Sequence, residues 1–363
     1  MLSDISVVLP SLDPDEKLIA VIDGLLEYGF TDIILVNDGS KPENLHCFEE
    51  AAQHPEVHLL HHEVNRGKGA ALKTAFTWFL ENRPEAKGVV TVDGDNQHHP
   101  ADTKACAEHM LETGHHTLGV RDFDQPDVPF RSRNGNKITS FVFKAFVGMV
   151  ISDTQTGLRA IPRKDLEILS TIHGDRFEYE TNMLLAMKTY GMPFDEVKIR
   201  TVYIEENKSS HFRAVRDSWR IYKLILAHFF KYTLSSLASA VVDEGLFILL
   251  THLLQNTLHG FALTAIPMAV ARVLSSLMNF YVNKKLVFTA QVSTGAALAK
   301  YFALAVPQAL AQLALTYGIY ELFQIPSEAT MLRGLIYALV MTALFFASFV
   351  IQQRWVFAQK KEK

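Results

Sequence analysis

Cysteine is scarce in this chain, where Cys47 and Cys106 are the only two among 363 residues. Two cysteines cannot form a disulfide framework, and so low a content is typical of a protein in a reducing compartment. The opening segment MLSDISVVLP also lacks a basic region and a long apolar run. We therefore expect no signal peptide and a first domain that stays in the cytosol.

Charge is also unevenly distributed. Charged residues are frequent and apolar runs are short up to about residue 230, after which long apolar segments with little charge begin. This change predicts a soluble domain followed by a membrane domain. We expect a cytosolic domain at 1–210, an amphipathic interface helix at 211–231, a membrane domain at 232–358 and a basic cytosolic tail at 359–363.

In the first half, short apolar runs alternate with segments of helical periodicity. The predicted strands are ISVVLP (5–10), DIILVNDGS (32–40), VHLLHH (57–62) and GVVTVD (88–93). Helices are predicted at 15–29, from the end of the second strand to about residue 53, and at 68–81. This alternation predicts an α/β fold with a doubly wound, mostly parallel sheet covered on both faces. Ligands of such sheets bind beyond the carboxyl ends of the strands.

The segment Asp93-Gly94-Asp95 follows the fourth predicted strand. A glycine between two carboxylates lets the chain turn so that both converge on one hard cation, such as Mg²⁺ or Mn²⁺. The diphosphate of a nucleotide sugar would supply further oxygen ligands, and the metal would neutralise the departing nucleoside diphosphate. A plain turn or solvated loop is the alternative, and the position at the end of a strand favours the metal site.

Other motifs near this edge have simpler explanations. Gly67 and Gly69 open a helix, but Leu72 replaces the third glycine of a dinucleotide fingerprint, and the spacing of a phosphate-binding P-loop is absent. The alternative for this segment is a helix cap with a solvated lysine. His98 and His99 could ligate a metal, but a polar turn is favoured because adjacent side chains diverge and Mg²⁺ prefers oxygen.

Taken together, five segments give the first domain a resemblance to known proteins. VVLPSLDPDEKL, LVNDGS, NRGKGAALKTAF, VDGDNQHHP and SDTQTGLRAIPR resemble the family 2 glycosyltransferases, and within them the polyprenyl-phosphate sugar synthases related to dolichyl-phosphate mannose synthase. The resemblance covers about residues 5–215. It implies a GT-A-like domain and an inverting transferase with a nucleotide-sugar donor.

The resemblance also implies roles for individual residues. The nucleotide sugar would be bound by Pro10, Ser11, Leu12, Asp38, Lys68, Asp93, Gly94 and Asp95, and the metal by Asp93, Asp95 and Gln97. The family often has P-x-Y-N-E at the first strand, whereas this chain has PSLDPDE from Pro10 to Glu16. Either Asp13 or Glu16 could take the role of that glutamate.

A lipid-phosphate acceptor needs cations beside a membrane, and Arg121, Arg131 and Arg133 surround the proline-broken loop FDQPDVPF. The resemblance supports assigning Arg121 and Arg131 to the acceptor phosphate. In the loop NKSSHFR, residues Ser209, Ser210 and Arg213 are further candidate phosphate contacts, with a flexible linker as the alternative.

Because a phosphate monoester is already anionic at neutral pH, it needs no base. We interpret Asp153 as an orienting group, or as a structural hydrogen-bond acceptor in its turn.

Two segments have the spacing of membrane-surface helices. From Ile138 the apolar positions are Ile138, Phe141, Val142, Ala145, Phe146 and Met149, with Lys137 and Lys144 between them, and a buried core helix explains this pattern equally well. Residues 211–231 carry an apolar stripe beside an arginine-rich one and lead into the membrane region, which favours contact with lipid headgroups.

Four apolar blocks follow, at about 232–254, 261–283, 298–323 and 331–352, each long enough to cross a hydrocarbon core. The distribution of Lys and Arg predicts cytosolic termini.

An internal repeat aligns NFYVNKKLVF (279–288) with SFVIQQRWVF (348–357). This half resembles the GtrA-type four-helix membrane domain. Asp243, Glu244 and Arg272 fall near mid-membrane, so we expect Arg272 to pair with one of the two acids.

The sequence therefore predicts an enzyme of the bacterial inner or plasma membrane. It would move a sugar from a UDP- or GDP-hexose to polyprenyl phosphate on the cytosolic face, with Asp95, Asp153, Arg121 and Arg131 in the catalytic centre. We expect no nucleic-acid partner and leave a homo-oligomer open. The alternatives are a lipid-linked sugar transporter or scaffold with a vestigial transferase domain, and a polysaccharide synthase.

Overall fold

The computed structural model describes residues 2–125, 128, 130–200, 214–259, 261–288, 292–326 and 329–358. The chain divides into two compact units, Met1–Leu224 and Ile225–Lys363. Of the candidate site residues, Ser209, Ser210 and Arg213 lie outside the described residues, and so does the side chain of Arg131.

A seven-stranded sheet forms the first unit. Its strands are β1 (Ile5–Ser11), β2 (Ile33–Asp38), β3 (Val57–His62), β4 (Gly88–Thr91), β5 (His116–Arg121), β6 (Arg159–Pro162) and β7 (Phe194–Ile199). They lie in the order β3-β2-β1-β4-β6-β5-β7. All neighbours are parallel except β6, which runs antiparallel to both β4 and β5.

Helices cover both faces of this sheet. They are α1 (Lys17–Glu27), α2 (Leu45–Ala51), α3 (Lys68–Asn82), α4 (Pro100–Thr113), α5 (Phe130–Val142), α6 (Arg163–Thr171) and α7 (Glu178–Tyr190). Alternate residues of β1 point to opposite faces. Val7 and Leu9 join a core with α1, α2 and α4, whereas Val8 joins a second core with α3, α6 and α7. Burial on both faces explains why the central strands are nearly continuous apolar runs.

The predicted mostly parallel α/β sheet is thus confirmed, and each of the four predicted strands is present with its end shifted by no more than two residues. The antiparallel strand β6 comes from RAIP, which is too short to show a period. Cys47 and Cys106 are buried free thiols, in agreement with the absence of a disulfide framework. Burial raises the pKa of the Cys106 thiol to about 12, which makes it unreactive at neutral pH.

The second unit is helical. Its helices are the part of α8 (Ala214–Leu254) from Ile225 onward, α9 (Phe261–Val282), α10 (Thr294–Leu322) and α11 (Thr330–Ile351). Among the described residues, four helical segments are long and apolar enough to cross a membrane: Phe229–Leu254, Ala262–Val287, Thr294–Leu322 and Met331–Val356. The four predicted apolar blocks are confirmed as helices.

The predicted repeat is visible in the backbone as well. Helices α9 and α11 each end in a π-helical turn, Asn283–Val287 and Gln352–Val356. Both turns are closed by equivalent hydrogen bonds of 2.8 Å, from Phe288 N–H to Asn283 O and from Phe357 N–H to Gln352 O. The two aligned sequences therefore adopt the same local structure.

Candidate active site

Polar side chains gather where β1, β2 and β4 end. The chain after β4 passes so close to the end of β1 that a Cβ at Gly94 would lie 3.0 Å from Ser11 Oγ. A Cβ at Gly157 would lie 2.3 Å from the Asp93 carboxylate. Glycine at both positions lets the backbone approach the acidic segment closely. The sheet topology thus brings Ser11, Gly94 and Asp93 to one edge, as the sequence predicts.

Asp38, at the end of β2, is buried and fully engaged within the protein. Its carboxylate accepts hydrogen bonds from the backbone N–H groups of Arg66 (3.0 Å) and Gly67 (2.7 Å), and contacts His62 Nδ1 at 2.7 Å. Gly67 has a φ of 104°, which only glycine adopts without strain. Asp38 therefore fixes the turn that enters α3, and its predicted contact with the nucleotide stays a prediction.

Lys68, the first residue of α3, lies between two carboxylates. Its Nζ is 2.7 Å from Asp93 Oδ1 and 3.0 Å from Glu180 Oε1, and 18% of its side chain is exposed. Burial alone would lower the pKa of Lys68, but the two carboxylates outweigh it and raise that pKa. The alternative of a solvated lysine at a helix cap is therefore wrong, because the ammonium is an internal ion-pair partner.

The two acids of the Asp-Gly-Asp segment have opposite electrostatics. Burial would raise the pKa of Asp93, but the Lys68 ammonium and His98 outweigh it and lower that pKa. Burial, followed by the negative charge of Asp93, raises the pKa of Asp95. Asp95 accepts a 3.2 Å hydrogen bond from Gln97 N–H and has no ion pair with a described side chain. An added cation would stabilise the Asp95 carboxylate most.

The adjacent histidines have separate roles. His99 caps α4, and its Nδ1 accepts a hydrogen bond of 3.1 Å from Ala101 N–H. His98 is buried, and its Nε2 lies 3.8 Å from Asp93 Oδ2. Within the part of the chain that the structure describes, no group of three or more His, Cys, Asp or Glu side chains could hold a metal ion.

Arg121, at the carboxyl end of β5, is held by Asp153. Arg121 Nε donates to Asp153 Oδ2 at 2.7 Å and Nη2 donates to Oδ1 at 3.2 Å, and the Asp153 side chain is fully buried. This two-point contact fixes the guanidinium plane. Asp153 also accepts from Gln155 N–H at 3.1 Å, so it both orients Arg121 and stabilises its own turn.

The other predicted acceptor residue with a described side chain is Arg133. Its guanidinium donates to two backbone carbonyls, Phe123 O at 3.0 Å and Gln125 O at 2.7 Å. These bonds hold the segment that follows β5. Its predicted contact with the acceptor phosphate stays a prediction.

Helix α5 and the π-helical turn that follows it, Phe143–Val147, have features of both a membrane-surface helix and a core helix, the two alternatives that the sequence left open. Phe130, Ile138 and Phe141 are 77%, 55% and 66% exposed, whereas Phe143 and Met149 are buried. The exposed apolar face also carries the exposed Lys137 and Lys144. One side of this segment is therefore core, and the other has the composition of a membrane-surface helix.

Two residues of the site, the buried Arg159 and the half-buried Glu180, were not assigned from the sequence. Glu180 on α7 completes the Lys68 ion pair, and Arg159 on β6 donates to Glu180 O at 2.7 Å and to Thr156 O at 2.9 Å. Burial lowers the pKa of Arg159, and the nearby acids, Glu180 first among them, reduce the size of that decrease. Arg159 belongs to the quoted segment SDTQTGLRAIPR, but Glu180 lies in RFEYET, where nothing distinguishes it from the neighbouring Glu178.

In the membrane unit, Arg272 pairs with Asp243. The Arg272 Nη2 to Asp243 Oδ2 distance is 2.9 Å, and Ser275 Oγ donates to Asp243 Oδ1 at 2.9 Å. Glu244 is exposed. Of the two acids left open by the sequence, Asp243 is the partner.

Comparison with known families agrees with both units. Residues 6–169 match the model described as Glycosyl transferase family 2, and residues 231–357 match the one described as GtrA/DPMS, transmembrane domain.

The chain is also similar to individual proteins. It is 29% identical over 232 residues to an uncharacterized protein of Methanocaldococcus jannaschii, covering 62% of this chain and 93% of that one. It is 26% identical over 219 residues to the UDP-N-acetylglucosamine–dolichyl-phosphate N-acetylglucosaminyltransferase of Methanococcus voltae, covering 55% and 86%. It is 26% identical over 215 residues to the undecaprenyl-phosphate 4-deoxy-4-formamido-L-arabinose transferase of Yersinia pestis, covering 57% and 62%.

Among solved structures, the glucosyl-3-phosphoglycerate synthase of Mycobacterium tuberculosis, in complex with Mn²⁺, UDP and glucosyl-3-phosphoglycerate, is similar with a TM-score of 0.46 at 16% identity. The similarity covers 61% of this chain and 77% of that one.

We expect Lys68→Met to destabilise the first unit, because it leaves the Asp93 and Glu180 carboxylates together without a cation. Breaking a buried pair costs about 3–5 kcal/mol, and the partial exposure of Asp93 reduces our expectation to about 2 kcal/mol. The measurement is urea unfolding of the full chain, with pulse proteolysis reporting on the first unit.

Lys73→Met is the matched control on the same helix. Lys73 pairs with Asp175, whose side chain is 66% exposed, so the loss should stay below about 1 kcal/mol. Equal losses for the two variants would contradict an internal ion pair at Lys68. Adding Glu180→Gln to Lys68→Met should recover part of the stability.

Proposed function

We propose that the chain transfers a sugar from a nucleotide sugar to polyprenyl phosphate, because residues 6–169 match the Glycosyl transferase family 2 model and residues 231–357 match the GtrA/DPMS transmembrane model. The relatives named above as acting on dolichyl phosphate and undecaprenyl phosphate support this acceptor. The reaction takes place at the cytosolic face of the plasma membrane, and the exposed face of α5, with Phe130, Ile138 and Phe141, rests on that surface.

The observation that carries the proposal is the position of Arg121. Strands β4 and β5 point in the same direction, because β6 is antiparallel to both. Arg121 and the Asp-Gly-Asp segment therefore lie at the same edge of the sheet. A fixed guanidinium is well suited to bind a phosphate group through two parallel hydrogen bonds. One edge thus combines an acidic donor site with a cationic acceptor site.

The reaction is a single displacement at the anomeric carbon. An oxygen of the lipid phosphate forms the new bond to this carbon as the bond to the nucleoside diphosphate breaks, and the diphosphate keeps the electron pair. The attacking oxygen is already anionic, so no side chain has to remove a proton. Arg121 orients the acceptor, Asp153 orients Arg121, and Lys68 supplies a fixed positive charge beside the leaving group.

A divalent cation completes the donor site in this proposal. Asp95 and Asp93, with Gln97, would hold Mg²⁺ or Mn²⁺ together with the diphosphate, and the ion would neutralise charge on the leaving group. The raised pKa of Asp95 supports this assignment, since its carboxylate is largely buried, lies near the charge of Asp93 and has no ion pair with a described side chain. Asp93 already shares Oδ1 with Lys68, so Asp95 is the principal ligand.

The proposed activity is tested by incubating the purified chain with radiolabelled UDP- and GDP-hexoses and a polyprenyl phosphate. We expect label in the lipid phase with at least one donor, loss of transfer in EDTA, and recovery with Mg²⁺ or Mn²⁺. Asp95→Asn should reduce transfer at least about a hundredfold without unfolding the protein, because an amide is a poor ligand for a hard cation. No transfer from any donor would refute the proposal, and transfer in EDTA would refute the metal.

The roles of Arg121 and Asp153 predict a selective effect on the acceptor. Arg121→Lys keeps the charge but loses the two-point geometry, and Asp153→Asn weakens the contact that fixes it. Both variants should raise KM for polyprenyl phosphate about tenfold or more, the value of one to two charge-assisted hydrogen bonds. Calorimetry should find unchanged binding of the nucleoside diphosphate. Arg83→Lys is the matched control and should leave both KM and donor binding unchanged, because it loses an equivalent two-point contact with Asp32, before β2 and away from the site. Equal losses of donor and acceptor binding would assign Arg121 to the donor.

For the membrane unit we propose that Arg272, whose side chain is 71% exposed, and Asp243 form a docking point for the lipid-phosphate head. Ionised groups near mid-membrane cost several kcal/mol unless paired, which makes such groups functional candidates. Arg272→Ala should leave transfer to a short-chain lipid in detergent intact and abolish it with a long-chain lipid in membranes. Glu244→Gln, beside the pair, should have little effect. If reversing both charges, Arg272→Asp with Asp243→Arg, restores all activity, the pair only fixes helix packing.

A further inference from the structure

The membrane unit consists of two hairpins whose sequences repeat with a constant spacing of 69 residues. The spacing relates Tyr232 to Tyr301, Asn283 to Gln352 and Phe288 to Phe357. The first hairpin therefore comprises the membrane part of α8 with α9, and the second comprises α10 with α11.

A cluster of polar side chains lies where the two hairpins meet. The repeat-equivalent residues Asn283 and Gln352 contact each other directly, and Asn283 Nδ2 donates to Gln352 Oε1 at 3.2 Å. Residues at equivalent positions of the two hairpins can contact each other only near the axis that relates one hairpin to the other. This junction cluster consists of Tyr232, Ser235, Ser239, Asn279, Asn283, Tyr301, Ser348 and Gln352.

Hydrogen bonds connect the cluster through all four helices. Tyr301 OH on α10 donates to Asn279 Oδ1 at 3.0 Å, and Asn279 Nδ2 donates to Ser239 Oγ on α8 at 3.0 Å. Gln352 Nε2 on α11 donates to Tyr232 OH and to Ser348 Oγ, each at 3.2 Å. Side chains that could bind a polar ligand are thus concentrated inside a unit whose outer surface is apolar.

One atom of the cluster indicates the chemistry of a ligand. Asn283 is completely buried, and its Oδ1 has no hydrogen-bond partner among the described residues. A carbonyl oxygen only accepts hydrogen bonds, so its missing partner must be a donor. An ionised phosphate or carboxylate has no proton to donate, whereas a hydroxyl group has one. The geometry therefore favours a ligand group that donates a proton, such as a sugar hydroxyl, over an ionised phosphate or carboxylate at this position.

Aromatic rings pack against the two tyrosines of the cluster. Phe280 lies 5.6 Å from Tyr301 and 5.7 Å from Phe357, and Phe349 lies 5.2 Å from Tyr232 and 5.7 Å from Phe288, measured between ring centroids. An aromatic face carries the negative part of a quadrupole, which complements the slightly positive C–H groups of a sugar ring. Amides and hydroxyls beside aromatic rings are therefore suited to a hexose.

We propose that the junction cluster binds the hexose head of a membrane glycolipid. This inference rests on the proposed function for the source of its ligand, which is the lipid-linked sugar made by the first domain. Hydrogen bonds between the hairpins here include those of Asn283 with Gln352, Tyr301 with Asn279, and Gln352 with Tyr232. The hydroxyls of the sugar replace these hydrogen bonds and supply the donor that Asn283 Oδ1 lacks.

The test is photolabelling of the full chain in a zwitterionic detergent that carries no sugar. The probe is citronellyl phosphoryl glucose with a diazirine on the sugar, and the comparison probe is citronellyl phosphate with the diazirine on the lipid. We expect the sugar probe to label peptides that contain residues 279–288 and 348–357, and the comparison probe to leave them unlabelled. Labelling confined to the first domain, or equal labelling by both probes, would overturn the proposal.

Two variants test the role of the amides. Asn283→Leu and Gln352→Met keep similar volume without the amide, and each should reduce labelling of the two peptides about fivefold, as expected for the loss of one or two hydrogen bonds. Thr316→Val is the matched control, because Thr316 is a buried residue of α10 whose hydroxyl also has no partner among the described residues. It should label like the unmodified chain. Undiminished labelling in both folded amide variants would exclude the site.

The probe is synthetic, so the result does not depend on the chain making its own product. If the unmodified chain transfers no sugar but the junction peptides are labelled, the proposed function fails and this site stands. If sugar is transferred and the junction peptides stay unlabelled, only this site fails.

Discussion

The contact of Lys68 with Asp93 and Glu180 is the interaction on which the first unit's site depends. It joins the start of α3, the end of β4 and the first turn of α7, which are distant in sequence. Each member is partly removed from water, so removing one of them leaves the charge of the others without its nearest partner. Asp38 supports the arrangement from β2 by fixing the turn before Lys68. The site is therefore a charge network held by the sheet rather than a set of independent loop residues.

The sequence predicts the fold well where apolar runs are uninterrupted. Strands β1 to β4 and the four membrane helices follow from hydrophobicity and length. The edge of the sheet is predictable too, because parallel strands place their carboxyl ends together, and this locates Ser11 and the Asp-Gly-Asp segment. The internal ion pair is not predictable in this way. Glu180 reaches Lys68 only through the packing of α7 against α3, and neither helix has a local signal for that contact.

The role of Asp38 shows a related limit. A resemblance assigns a residue by motif, whereas the structure shows which hydrogen-bond positions of its side chain are already occupied. The Asp38 carboxylate accepts from two backbone N–H groups and contacts a histidine, and Arg133 donates to two carbonyls. These hydrogen bonds depend on the three-dimensional course of the loops. Residue type and spacing do not contain this information.

The matching π-helical turns of α9 and α11 also bear on the origin of the membrane unit. Two hairpins with the same irregular turn at the same repeat position are the expected product of a gene duplication that fused two copies of one ancestral hairpin. An ancestor of this kind would have assembled as a symmetric homodimer. The fused copies have since diverged, because the positions equivalent to Asp243 and Arg272 are Gln312 and Met341. Fusion thus allowed one half to acquire or retain charges that a symmetric dimer would have carried twice.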